Sequence, residues 1–175
     1  MGHSQEDQAT YQLPVMTQPN IGLDSNSRQA IIDLLDVALS DEIILAVKTR
    51  SLHWNIQGTA FLELRAFLDD QYHRLSSLTD EMAERVRMLG GFPLGSLRAF
   101  LEHARLKEQH GEGPDLMHLL ADHEALTRFL REDAKRCLEE FEDDGTRDLL
   151  VSAIRCHEKI AWMLRSHMAV EDRRP

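Results

Sequence analysis

The chain has little of several residue types, and each shortage excludes something. Two cysteines in 175 residues, Cys137 and Cys156, make neither a disulfide framework nor a CxxC metal site, so a reduced, cytoplasmic compartment is expected. Nine glycines and five prolines are too few for a collagenous or low-complexity chain. No apolar run approaches the roughly 18 residues of a membrane span. The opening Met1-Gly2-His3-Ser4-Gln5-Glu6-Asp7 lacks the basic and apolar regions of a secretory signal. Positive charge is also scarce: 20 Lys and Arg face 30 Asp and Glu, a formal net of −10, which argues against tight non-specific binding of nucleic acid. What remains is one domain with ordinary apolar content (42%) and enough length for a sizeable core.

The expected organisation is a flexible N-terminal arm over 1–25, a helical body over 26–170 and a short tail over 171–175. The arm is polar and carries Pro14 and Pro19. From Asn26, paired with Gln29 as a cap, apolar residues recur every three or four positions through Ala30, Ile31, Leu34, Leu35, Ala38 and onward to about Ser51. Trp54 to Gly58 reads as a turn. A second helix is expected from Thr59 to Leu89, closed by Gly90-Gly91, and a short one from Ser96 to Ala104. The third long helix opens at Gly113-Pro114-Asp115 and ends near Glu142, and the fourth runs from Thr146 to about Ala169. The class is therefore all-α: a four-helix bundle with a short extra helix in the connection between helices two and three, a ferritin-like arrangement.

Nine histidines and 30 carboxylates invite a metal reading, so spacing must decide. Bundles that hold two irons inside one chain use Glu-x-x-His on two helices, and this sequence contains no Glu-x-x-His. Helix two offers a different pattern. At 100° per residue, Asp69, Asp80, His73 and Glu84 fall at about 0°, 20°, 40° and 60°, a single narrow stripe. Asp69 and Glu84 are about 22 Å apart along the axis, too far to share a metal. The stripe is symmetric about its own centre, however, so an antiparallel copy from a second subunit would set Asp69 opposite Glu84 and His73 opposite Asp80, giving two identical sites about a two-fold axis. A solvated acidic face explains the same periodicity.

Ser51-Leu52-His53-Trp54-Asn55-Ile56-Gln57-Gly58, followed by Asp80-Glu81-Met82-Ala83-Glu84-Arg85 and Gly90-Gly91, resembles the Dps family of mini-ferritins, the DNA-binding proteins from starved cells. The resemblance extends over about 26–170 and includes Lys159 to Leu164 in the last helix. It implies a hollow homododecamer in the bacterial cytoplasm that oxidises Fe(II), preferably with hydrogen peroxide, at ferroxidase centres of two irons between two-fold-related subunits, and stores the ferric product. By position, His53 and Asp69 come from one subunit, Asp80 and Glu84 from its partner. The resemblance also places Glu139, Asp144 and Asp148 at a three-fold pore that admits iron, where a negative ring concentrates cations.

One departure stands out. Where the family usually has a second histidine, four residues before the aspartate of helix two, this chain has Arg65, an obligate cation that cannot ligate a metal. His73 is the expected compensator as a metal ligand, and the extra imidazole would suit zinc as well as iron. His157 with Glu158 is a second candidate pair, read as exposed on a helix surface. His103, His110, His118 and His123 are read as ordinary surface or core histidines, and Trp54 as interface packing. Direct DNA binding is not expected, because residues 1–24 hold no Lys or Arg and Arg173-Arg174 sit beside Glu171-Asp172. The competing reading is a DNA-condensing or zinc-binding shell with an impaired ferroxidase centre, which Arg65 favours.

Overall fold

The computed structural model describes residues 18–58, 60–109 and 115–171. Five helices follow in order: α1 (Ser25–Asn55), α2 (Phe61–Met88), α3 (Leu97–His103), α4 (Leu116–Glu139) and α5 (Asp144–Glu171). The four long helices form a bundle in which α1 pairs with α2, α4 pairs with α5, and α3 lies across α1. The fold is the expected all-α, ferritin-like bundle with the short helix in the second connection. The core is a continuous aliphatic column with Leu35 and Leu45 of α1, Leu68, Leu75 and Met82 of α2, Leu119, Leu126 and Leu130 of α4, and Leu150 and Leu164 of α5. The intervals within each set are sums of three- and four-residue steps, which keeps each set on one buried helical face.

Several ends differ from expectation, each for a local reason. The cap of α1 is Asp24, whose Oδ1 accepts from the backbone N–H of Asn26 and Ser27, so the helix starts one residue before Asn26. At the other end α1 continues through Trp54 to Asn55 instead of turning there, and this keeps His53 on the helix. Asp115 caps α4 through the His118 N–H, and the expected Gly113-Pro114 opening lies outside the described residues. Residues 18–24 of the expected arm lie against the bundle: Gln18 accepts from Arg28, and Pro19 packs so close to Gly90 that a Cβ there would sit 2.8 Å from its Cδ. Gly90 has φ +92° and closes α2 in the left-handed conformation that favours glycine, with Gly91 N–H returning to the Val86 carbonyl.

Buried polar ties fix the connections. Asp41 is fully buried and accepts from the backbone N–H groups of Arg105 and Leu106 and from the Arg105 guanidinium, which also pairs with Asp133 of α4. Asp143, from the acidic cluster at the α4–α5 turn, is a structural group: it is buried, receives both carboxylate bonds from Arg85 of α2, and caps Thr146. Burial is the largest single influence and raises its pKa, but the hydrogen bonds from Thr146 and then Arg85 together outweigh it and hold the carboxyl below its usual value.

Candidate metal centre between α1 and α2

The end of α1 and the third and fourth turns of α2 bring His53, Asp69 and His73 together. His53 is buried, its Nε2 lies 3.7 Å from Asp69 Oδ1, and its Nδ1 has no hydrogen-bond partner. On the other side of the same carboxylate, His73 Nε2 lies 3.6 Å from Oδ2. Neither separation is a hydrogen bond. Both are close to the distance of about 3.4 Å between two donors that each stand about 2.1 Å from one tetrahedral metal. Asp69 is thus flanked by imidazole nitrogens on both oxygens. Desolvation, and then the charges of Arg65 and Arg50, hold the His53 pKa below the ordinary histidine value against the opposing pull of Asp69, so its ring is neutral and available to a metal.

Two arginines complicate the site. Arg50, one turn before His53, donates from Nη1 to Asp69 Oδ1 at 2.9 Å, and its guanidinium stacks 4.3 Å from the Tyr72 ring centre and 5.9 Å from that of Trp54. Arg65 turns to the backbone, where Nη1 meets the His53 carbonyl at 3.4 Å. The carboxylate oxygen nearest His53 is therefore already paired with a cation. Arg65 was legible in the sequence; Arg50 was not, because nothing in the spacing shows that it points at Asp69.

Asp80 and Glu84 lie further along α2 and are exposed, as is His73, so the stripe read from the sequence faces outward. Among the described residues no three His, Cys, Asp or Glu side chains converge on one metal position. Glu139, Asp144 and Asp148 are exposed around the α4–α5 turn, Glu139 lying 3.9 Å from Lys135.

The structure corrects the reading of His157 and makes His123 a core histidine, one of its two expected settings. His157 is not on an exposed surface with Glu158; it is completely buried, while Glu158 is exposed and pairs with Arg131. His157 Nε2 donates to Glu42 Oε1 at 2.7 Å, and its Nδ1 shares a hydrogen bond with His123 Nδ1 at 2.9 Å. All three groups have zero exposure, with Glu42 Oε2 and His123 Nε2 unpartnered. His110 lies outside the described residues. His103 and His118 are surface groups, bonded to the Ala99 carbonyl and to Asp115.

A helical bundle with an antiparallel α1–α2 pair presenting His and Asp is the arrangement of the ferritin-like proteins, and the profile of the ferritin-like domain matches residues 32–173. The chain belongs to that class. Within it the chain belongs to the Dps family: it is 32% identical over 153 residues to the DNA protection during starvation protein of Agrobacterium fabrum, covering 83% of this chain and 92% of that one. A protein of Nostoc sp. described as low temperature-induced is 44% identical over 155 residues, covering 86% and 87%. Among solved structures, DpsC from Streptomyces coelicolor superposes with a TM-score of 0.81 at 31% identity, covering 87% of this chain and 91% of that one. A Dps protein from Vibrio cholerae, described as a member of a broad superfamily of ferritin-like diiron-carboxylate proteins, gives 0.79 at 31% identity over 87% and 98%. No helix among the described residues is long and apolar enough to cross a membrane.

Proposed function

We propose that this chain is a subunit of a mini-ferritin that oxidises Fe(II), preferably with hydrogen peroxide, and stores the ferric product in a hollow dodecamer in the cytoplasm. The observation that carries this reading is the carboxylate of Asp69 between two imidazole nitrogens, His53 at 3.7 Å and His73 at 3.6 Å. Iron is the substrate. His53 and Asp69 hold it from one subunit, with Asp80 and Glu84 of the partner subunit completing the set and His73 standing in for the histidine replaced by Arg65. Two Fe(II) at one centre supply one electron each to the peroxide, whose O–O bond breaks as two Fe(III) form. A neutral His53 and an outward-facing carboxylate stripe suit that role, and the same donors accept zinc.

The assembly reading draws on apolar surface beside the site. Val47 and Trp54 of α1, Leu62 of α2 and Leu97 and Leu101 of α3 are exposed, and a groove of about 260 Å³ runs between α1 and α3. Large exposed apolar side chains beside the half-formed site are what a two-fold contact buries. Glu139, Asp144 and Asp148 serve as a negative entry ring for Fe(II), and their removal slows uptake without stopping oxidation at the centre.

Protection of DNA is chemical on this reading: consuming Fe(II) and peroxide together denies them hydroxyl-radical chemistry. A dodecamer of about −120 formal charge repels phosphate. A salt-dependent gel shift of duplex DNA would overturn this part. The ion pair of Arg50 with Asp69, together with Arg65, favours one second reading, a zinc-binding or DNA-condensing shell with an impaired centre. Anaerobic addition of two Fe(II) per subunit, followed by one peroxide, separates the two. The ferroxidase reading expects ferric absorbance to rise much faster than in buffer and to slow in His73→Ala. A wild-type rate equal to the protein-free control leaves only the shell.

A further inference from the structure

We infer that the groove between α2 and α5 is a binding site for a small tetrahedral oxyanion of the phosphate class, separate from the centre at His53 and Asp69. The groove holds about 280 Å³, just below the usual range for small-molecule pockets. Arg74 comes from α2, and Arg155 and Lys159 from α5, so three cations line it against a single carboxylate, Asp70, in a chain whose net charge is −10.

The pairing inside the groove leaves these cations available. Asp70 accepts only from Arg74 Nε, at 2.7 Å, so the terminal nitrogens of that guanidinium are not spent on it. No ion pair holds Arg155 or Lys159 among the described residues, and the two stand four apart on one helix face. Like charges at that spacing repel unless an anion lies between them.

The second observation is Gln71. This side chain lines the groove, is 1% exposed, and has neither its Oε1 nor its Nε2 hydrogen-bonded. A buried amide with both ends open is costly, about 1–3 kcal/mol for each unsatisfied group, and is explained when a ligand or an ordered water answers it. A hydrogen phosphate answers both ends: an oxygen accepts from the Nε2 amide and the P–OH donates to Oε1. A bare cation cannot, because Nε2 is a donor, and an apolar ligand satisfies neither. Beside it, burial pushes the Cys156 thiol above its usual pKa, so it stays a neutral S–H and adds no negative charge to the groove.

The test is calorimetric titration of inorganic phosphate into the assembled protein at low ionic strength, in wild type, in the Arg155→Gln/Lys159→Gln double variant and in Gln71→Leu. Loss of one charge-assisted hydrogen bond corresponds to about tenfold in affinity or more. Saturable wild-type binding at one site per chain, weakened at least about tenfold in the double variant and several-fold in Gln71→Leu with helicity unchanged, is the expected result. A wild-type constant weaker than about 10 mM, or equal binding in all three proteins, overturns the proposal. A duplex-DNA arm distinguishes the source of the phosphate. Duplex that fails to displace inorganic phosphate supports the small-anion site; duplex that binds through the same residues while free phosphate does not overturns it.

Discussion

The molecule holds two clusters of histidine and carboxylate in opposite surroundings. At the junction of α1 and α2, His53 and His73 stand 3.7 and 3.6 Å from the two oxygens of Asp69, with an arginine paired to one of them, and the carboxylate is nearly half exposed. In the middle of the bundle, Glu42, His157 and His123 are chained at 2.7 and 2.9 Å with no exposure. The first cluster is spaced beyond hydrogen-bond reach and opens outward at Asp69 and His73; the second is spaced for hydrogen bonds and sealed. Residue type alone does not separate them. Separation and access do: the core groups stand at hydrogen-bond distance and bond to one another, with Glu42 Oε2 and His123 Nε2 left over, whereas the half-exposed Asp69 and the exposed His73 face outward.

The comparison is broken most directly by changing one member of each cluster. Asp69→Asn removes the carboxylate that both imidazoles face, and peroxide-driven Fe(II) oxidation by stopped-flow absorbance should fall by about 100-fold or more, beyond the 10–100-fold loss that follows from outer-shell changes. Its thermal stability should hardly change, because the Arg50 pair it loses is partly exposed. The core cluster should behave in the opposite way. Glu42→Leu strands the His157 Nε2–H and should lower unfolding stability by about 2 kcal/mol, with Glu42→Gln restoring most of it, while the oxidation rate per assembled subunit stays at the wild-type value.

Acid sharpens the contrast. Burial, and then the neighbouring His157, hold the His123 pKa well below the usual 6.5. Above pH 6.5 neither the folded nor the unfolded chain protonates this ring, and its contribution is constant. As pH falls below 6.5 the unfolded chain takes up a proton that the folded chain refuses, so stability declines, by up to about 1.4 kcal/mol per pH unit, until the folded pKa is reached. Thermal melts from pH 7.5 to 5 should show this slope in wild type and a shallower one in His123→Phe. The smallest effect belongs to Arg50. Its Gln variant frees Asp69 Oδ1 and should tighten the first Fe(II) by at most about fivefold in anaerobic titration, the value of one partly exposed ion pair.

How far the sequence disclosed these clusters follows from the kind of information each needs. Helix count, the connecting helix and the Gly90 stop rest on local periodicity and turn chemistry, and they were legible to within a few residues. The surface cluster was legible in part, because His53 lies within a motif-bearing segment, Asp69 sits on the stripe read along helix two, and His73 follows Asp69 by one turn. Arg50 escaped because its aim across to α2 is a tertiary fact. The core cluster escaped for a different reason. Glu42 continues the buried register of Leu35, Ala38 and Leu45; His123 sits between Leu119 and Leu126; His157 sits between Ala153 and Leu164. A polar residue at a core position in each of three helices was a visible signal, but only the packed bundle shows that the three meet. His157 was instead read with Glu158, its neighbour in sequence, which lies about 100° further round the helix and is exposed.

The central claim is that the open cluster is half of a ferroxidase centre completed by a second subunit. It is tested most directly by complementation. Asp69→Asn and Glu84→Gln are each purified, dissociated, mixed in equal amounts and reassembled, and peroxide-driven Fe(II) oxidation is measured beside each variant alone. If Asp69 of one chain works with Glu84 of the partner subunit, each mixed two-fold pair regains one intact centre. Random pairing then restores about a quarter of the wild-type rate from two variants that are separately inactive. A mixture no faster than either variant alone, with assembly intact, would contradict the account.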